Sequence, residues 1–439
     1  MAVIVAAGFT SCDNETTGDN PGGERGKETT AKLRLIEAPG TYGTDQEQTA
    51  SSAESAIAST VDIYIFDNSG VCEYAYKSHP VNPTTGLADE IKVTEGQKYF
   101  YVFSNKPSTV QEPEVNVTSR EAFEKSLITA TIASNNTSVT QDNSFLIGTL
   151  WRKVTAVTGD ENQNISVEIG RAGAKIALTE VNTKVVGELL KGSFVLNTAI
   201  YRVCAIPTEF YLVGQYSGTI APPADGAVVT SAVHNENATA SGSLTDDNWN
   251  PKFKNYTFES STNIGGSNQK SYYAIENTSK KIENYLRYGN TTFLQLRIKY
   301  QPKQGTGGEV HDKDGKPNAN LTEGETFYSA TVNNQTLIFN ETPNGNLSGL
   351  DTQSIRKYEN GINYYRIVVK DNKEKAGGNE QSMKVLRNHY YEVMVNSFSK
   401  LGENDEEVKP WWPIIGEETE VDVTVKVINW SKITQVEDL

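Results

Sequence analysis

Alternation of apolar and polar residues with a period of two runs through the chain, and it is sharpest near the C-terminus. There Val421, Val423, Val425 and Val427 share one face of an extended strand, while Asp422, Thr424 and Lys426 share the other. Past Val427 the apolar register moves to Ile428 and Trp430, which predicts a bulge or a change of face. A strongly amphipathic strand at a chain end can pair within its own domain or with a neighbouring molecule, and the pattern alone fits either.

The same period predicts strands at Ala31–Ile36, Val61–Phe66, Val71–Tyr76, Ile91–Val93, Gln97–Phe103, Asn164–Ile169 and Arg171–Leu178. In the second half it recurs at Phe194–Leu196, Ile200–Ile206, Thr291–Tyr300, Tyr364–Val369 and Tyr390–Val395. Asp67–Gly70 reads as the turn of a hairpin between Val61–Phe66 and Val71–Tyr76. A helix is expected only near Ser119–Thr129, where Ser119 can cap and Phe123 and Leu127 are spaced i, i+4. The stretches 41–60, 214–270, 301–325, 371–382 and 401–419 are polar or rich in Gly, Asn and Lys, and are expected as surface loops. The expected fold class is all-β: two antiparallel sandwiches in tandem, over 31–190 and 191–439, with few short helices and a last strand at about 420–431.

The first residues differ in kind. Ala2–Phe9 is apolar but far short of the about 20 residues that a membrane-spanning helix needs. Followed by Thr10-Ser11-Cys12, it reads as a signal peptide and lipobox over 1–12, with Cys12 as the lipidation site. No basic residues precede the apolar run, so either the start codon is mis-assigned or a few residues are missing upstream of Met1. Residues 13–30 hold no large apolar side chain and read as a flexible tether.

Composition narrows the chemistry. With 55 acidic against 40 basic residues, the chain carries a net charge of −15 and no basic patch to neutralise phosphates, so nucleic acid is not an expected partner. Tyr is abundant at 21 residues and Met scarce at 3, which fits a β-rich extracellular protein. Apart from Cys12, Cys72 and Cys204 sit in strand-like segments and are expected as two buried thiols. The 4 histidines are scattered without metal-ligand spacing, and no cofactor is expected. Thr306–Gly315 carries Asp312 and Asp314, but without the distal bidentate glutamate of a calcium loop it reads as a solvated turn. No phosphate loop, nucleophile elbow or zinc-protease motif is present, and no residues are nominated for catalysis. Trp411 and Trp412 either pack against a sandwich end or offer stacking surfaces for sugars.

Several segments together resemble the fimbrillins of Bacteroidales, the subunits of type V pili, and in particular the shaft subunits of minor fimbriae. The resemblance rests on Lys32–Leu35, Val61–Phe66, Ser166–Lys175, Thr291–Lys303, Val385–Val393 with Ser399–Gly402, and Glu420–Leu439. The block around Arg387-Asn388 and the terminal Val-Lys-Val-Ile-Asn-Trp carry it most specifically.

It implies two transthyretin-like sandwich domains, export as an outer-membrane lipoprotein, and polymerisation by strand exchange into a surface fimbrium with accessory subunits. That assembly would support adhesion and colonisation through a surface ligand the sequence does not identify. In that scheme a protease removes the first strand, here about 31–38 with Leu33, Leu35 and Ile36. The donor strand of a neighbour, with Val421, Val423, Val425, Val427, Ile428 and Trp430, then fills the groove. Each buried valine would contribute about 1.5–3 kcal/mol before entropy costs.

The chain departs from the best-known members in one respect: no Lys or Arg lies between Arg34 and Lys77. Cutting at Arg25 or Arg34 would leave much of the strand in place, so a protease that is not arginine-specific, acting within 40–59, is expected. An anchor subunit, a tip subunit and a monomeric glycan-binding lipoprotein are the alternatives.

Overall fold

A computed structural model describes residues 26–38, 57–129, 145–160, 163–186, 191–216, 229–230, 253–258, 264, 270–278, 285–303, 310–318, 321–369, 383–414 and 421–429. The all-β reading holds. Among the described residues the one α-helix is α1, Arg120–Glu124, capped by Ser119, whose hydroxyl accepts from the Ala122 amide. The expected longer helix stops there because Leu127–Thr129 pairs as a strand with Glu209–Tyr211. Phe123 is buried, whereas Leu127 is exposed, so the i, i+4 spacing does not mark a common face.

The first half is built from β1 (Glu28–Glu37), β2 (Thr60–Asp67), β3 (Cys72–Pro80), β4 (Leu87–Thr94), β5 (Gly96–Ser104), β6 (Ile147–Gly148), β7 (Val154–Val157) and β8 (Gln163–Arg171). Their order is β3-β2-β5-β6-β8-β1-β4, with β7 pairing β5. The β2–β3 hairpin forms as its sequence predicts. The Asp67 carboxylate accepts from the Ser69 hydroxyl and the Val71 amide, and Gly70 takes the left-handed φ of 89° that the turn requires. Ile63, Ile65, Phe100, Val102, Leu33, Ile91 and Ile165 from these strands meet in one core.

The second half contains β9 (Gly173–Val181), β10 (Ser193–Cys204), β11 (Tyr272–Ile275), β12 (Phe293–Gln301), β13 (Phe327–Val332), β14 (Gln335–Phe339), β15 (Leu350–Tyr358), β16 (Ile362–Val368), β17 (His389–Phe398) and β18 (Val421–Asn429). One sheet runs β11-β9-β17-β18 and a second β10-β12-β16. On β12, Leu294, Leu296, Ile298 and Tyr300 are buried, the face the alternation assigns. Phe194, Tyr300, Tyr365 and Phe398 stack between the two sheets, with Phe194 and Phe398 centroids 4.0 Å apart. β9 pairs with β11 and β17 of the second half, while Glu209–Tyr211 pairs back onto Leu127–Thr129 of the first.

Between β12 and β16 the chain builds a further small sheet, β14-β13-β15 with the two-residue strand Val310–His311 on β14. The stretch 301–325, expected as loop, supplies that short strand. A tight turn at Asn333-Asn334, both at positive φ, joins β13 to β14.

A buried polar junction ties the halves together. The Arg171 amide donates to the Asn388 side chain at 3.1 Å, and Arg387 forks onto Glu276 at 2.9 Å and the Leu212 carbonyl at 3.2 Å. Arg171 and Arg387 are among the largest fully buried side chains. Gly170 permits this approach, since a Cβ there would lie 2.6 Å from Leu150 and 3.0 Å from Asn388. Two buried guanidiniums are tolerable only because carboxylate, amide and carbonyl oxygens meet them.

Candidate assembly site

The removable first strand of the sequence reading is an interior strand. β1 runs antiparallel to β4 on one side, with Thr30 opposite Lys92 and Lys32 opposite Glu90. On its other side it runs parallel to β8, where Ala31–Glu37 match Gln163–Ile169 residue for residue. It starts at Glu28, so the end of the expected tether belongs to the strand; pairing of Glu28–Thr30 with Lys92–Thr94 draws those residues in.

Its core face is Thr29, Ala31, Leu33 and Leu35, all buried, while Lys32 and Arg34 are exposed. Leu33 and Leu35 are core residues of β1; Ile36 lies in the same strand but faces the other way and is half-buried. Gly86 closes the rim beside Leu35. Its carbonyl accepts from the Leu35 amide at 2.9 Å, and at φ 68° a Cβ would lie 2.6 Å from the Leu35 carbonyl oxygen. At the strand's start, Glu28 pairs with Lys92 at 3.0 Å.

The C-terminal strand has the opposite standing. β18 is an edge strand, antiparallel to β17 over His389–Phe398 and without a second neighbour among the described residues. Val425 is buried and Val423 packs against the core, while Asp422 and Lys426 are exposed. Val421, Val427 and Ile428 lie opposite Phe398, Tyr391 and Tyr390 in the ladder. Lys426 lies opposite Glu392, whose carboxyl is pushed above the ordinary range by burial, with the Lys426 charge opposing the shift. Trp430 and Cys12, named from sequence, fall outside the described residues.

The connection from β17 to β18, expected as a surface loop over 401–419, is irregular and largely at the surface as far as Ile414. It is a strap laid along β16 and the turn before β12. Tyr364 and Glu403 exchange backbone bonds at 2.9 Å, and the Tyr365 hydroxyl donates to the Lys400 carbonyl at 2.9 Å. Arg202 pairs with Glu406 at 2.9 Å, and the Ile414 amide donates to the Leu286 carbonyl at 2.8 Å. Trp411 and Trp412 belong to this strap. The Arg287 guanidinium donates to the Trp411 carbonyl at 2.8 Å, and Arg366 lies 5.1 Å from the Trp412 ring and 5.5 Å from that of Tyr288. A ring face of Trp412 is thus already taken by a cation of the chain itself.

Other chemistry is structural in character. Cys72 and Cys204 are free and buried, as expected, and burial pushes both thiols up to about 12. Buried Lys98 pairs with Glu73 at 2.9 Å, and the Thr94 hydroxyl donates to the same carboxylate. Asp312 closes a turn by accepting from the Asp314 and Lys316 amides. Among the described residues no group of three or more His, Cys, Asp or Glu side chains is placed to hold a metal ion.

Sequence reasoning missed the β13–β15 sheet and the strap. The Asn333-Asn334 pair between alternating runs was a legible turn signal, whereas the strap's backbone pairing with Tyr364 leaves no period of two to read.

Residues 356–436 match the family model described as major fimbrial subunit protein type IV, fimbrillin, C-terminal. Val385–Val393 and Ser399–Gly402, on which the resemblance rested, fall inside that match. No curated protein matches the chain. Among solved structures, the chain is similar to a fimbrilin of Porphyromonas gingivalis W83 at 15% identity over 93% of this chain and 98% of that one, with a TM-score of 0.46. It is also similar to the C-terminally truncated tip fimbrial protein Mfa3 of Porphyromonas gingivalis, at 12% identity over 92% of this chain and 100% of that one, with a TM-score of 0.41. The fimbrial anchor protein Mfa2 of the same species is similar at 11% identity over 61% and 77%, with a TM-score of 0.31.

Proposed function

We propose that this chain, a fimbrillin by its C-terminal region, is a shaft subunit of a cell-surface fimbrium that polymerises by exchanging β18 for β1. It is exported as a lipoprotein through Cys12, loses β1 to a protease at the cell surface, and then accepts the C-terminal strand of another copy. Its two sandwich domains span about 31–190 and 191–439. Its role is structural, its partners are further copies and accessory subunits, and the fimbrium serves adhesion.

The observation that carries this reading is the unequal standing of the two strands. β1 is held by ladders on both sides, and β18 by one. Removing β1 strips β4 and β8 of hydrogen-bond partners and opens a groove that Leu33 and Leu35 now fill, each contributing about 1.5–3 kcal/mol of burial. A strand that leaves an edge and enters that groove gains a second ladder, and this difference drives assembly. Proteolysis makes the step irreversible and delays it until export is complete.

The test is deletion of Val421–Asn429 in the producing bacterium, with sheared surface material examined by electron microscopy. Loss of filaments with the chain still at the surface supports the reading. Filaments of normal length from the deletion would refute it.

A further inference from the structure

Resting on that strand-exchange reading, we infer that β18 of a second copy enters the groove in the direction of β1, with Val421–Asn429 taking the places of Thr29–Glu37. The inference comes from the burial of β1 and the residues opposite it. The core-facing positions of β1 are Thr29, Ala31, Leu33 and Leu35. In this register Val421, Val423, Val425 and Val427 occupy those four positions in order. Lys426 replaces Arg34 on the exposed face, and Ile428 replaces Ile36.

Charge fixes the direction. Lys92 of β4 lies opposite Thr30 and is now paired with Glu28, a partner that departs with β1. In the inferred register Asp422 stands at the Thr30 position and returns a carboxylate to Lys92. Reversing the strand keeps the four valines inward but sets Lys426 against Lys92, a like-charge contact directly across the ladder.

Charge and burial also oppose a slip. A slip of two residues one way puts Asn429 at the buried Leu35 position, where an amide side chain has no partner. The same slip the other way sets Asp422 opposite Glu90 and moves Val427 out of the core-facing set. A slip of one turns every valine outward.

The experiment uses two full-length variants expressed together in the producing bacterium, one carrying K92C and the other D422C. Sheared filaments are oxidised and run without reductant. Residues directly opposite in an antiparallel pair lie about 4.5–5.5 Å apart at Cα, within disulfide range. The expected result is a covalent dimer whose cross-linked peptide joins positions 92 and 422, absent when either variant is expressed alone. The second pair, E90C with T424C, is expected to behave likewise. Cross-linking of K92C to K426C instead would establish the reverse direction, and cross-linking of K92C to T424C a slipped register; either overturns the inference. Filaments that form but cross-link at neither expected pair overturn the register while leaving strand exchange standing. Absence of strand-dependent filaments altogether overturns both.

Discussion

Leu33 lies directly opposite Ile165 in a parallel ladder, and both side chains are buried, at 0% and 4% exposure. A first strand seated this deeply belongs to the core of the unprocessed chain. Leu33→Ala should therefore cost the intact precursor about 2–5 kcal/mol, read from denaturant unfolding. On the strand-exchange proposal β1 is absent from the mature filament, so the same change should leave the filament's resistance to denaturant unaltered. An equal loss in both forms would mean that β1 stays.

The buried ion pair beside the polar junction gives a second expectation. Arg387 and Glu276 are both buried and 2.9 Å apart. Arg387→Ala removes the buried guanidinium that meets the Glu276 carboxylate and should cost about 3–5 kcal/mol in urea unfolding. Replacing both with apolar residues of similar volume should cost clearly less. Equal losses in the single and double variants would remove the pair from its stabilising role.

A third expectation concerns pH. Burial raises the Glu392 carboxyl, so the folded chain holds its proton to higher pH than the unfolded chain does. The stability this contributes is present below the unfolded carboxyl value and is lost as pH rises through the folded one. Glu392→Gln should therefore be more stable than the parent at about pH 7, with the two converging near about pH 4. A parent that is the more stable at neutral pH would show that the Lys426 pairing outweighs burial.

The thiols supply a fourth. With both held up to about 12, Cys72 and Cys204 should resist alkylation in the folded chain at about pH 8 and react fully once it is unfolded. Rapid labelling of either under native conditions would contradict the packing described.

Strands that alternate cleanly were legible in sequence. Thr291–Tyr300 announced its buried face, and the Asp67–Gly70 turn announced its hairpin, because local chemistry decides both. The helix near Ser119 was overextended because the competing partner of Leu127–Thr129 is Glu209–Tyr211, far along the chain. Nor could any local pattern reveal that β1 runs parallel to β8, or that β9 pairs with β17 rather than with the first half. The candidate strands at the two ends were legible in outline; their unequal standing, one interior and one at an edge, depends on long-range pairing.

The most direct test is to sequence the N-terminus of this chain within sheared native filaments. The account predicts a start after Glu37 and no later than Val61, in high-mass material that is lost when Val421–Asn429 is deleted. A filament chain that begins at or before Glu28, with β1 still attached, would contradict it.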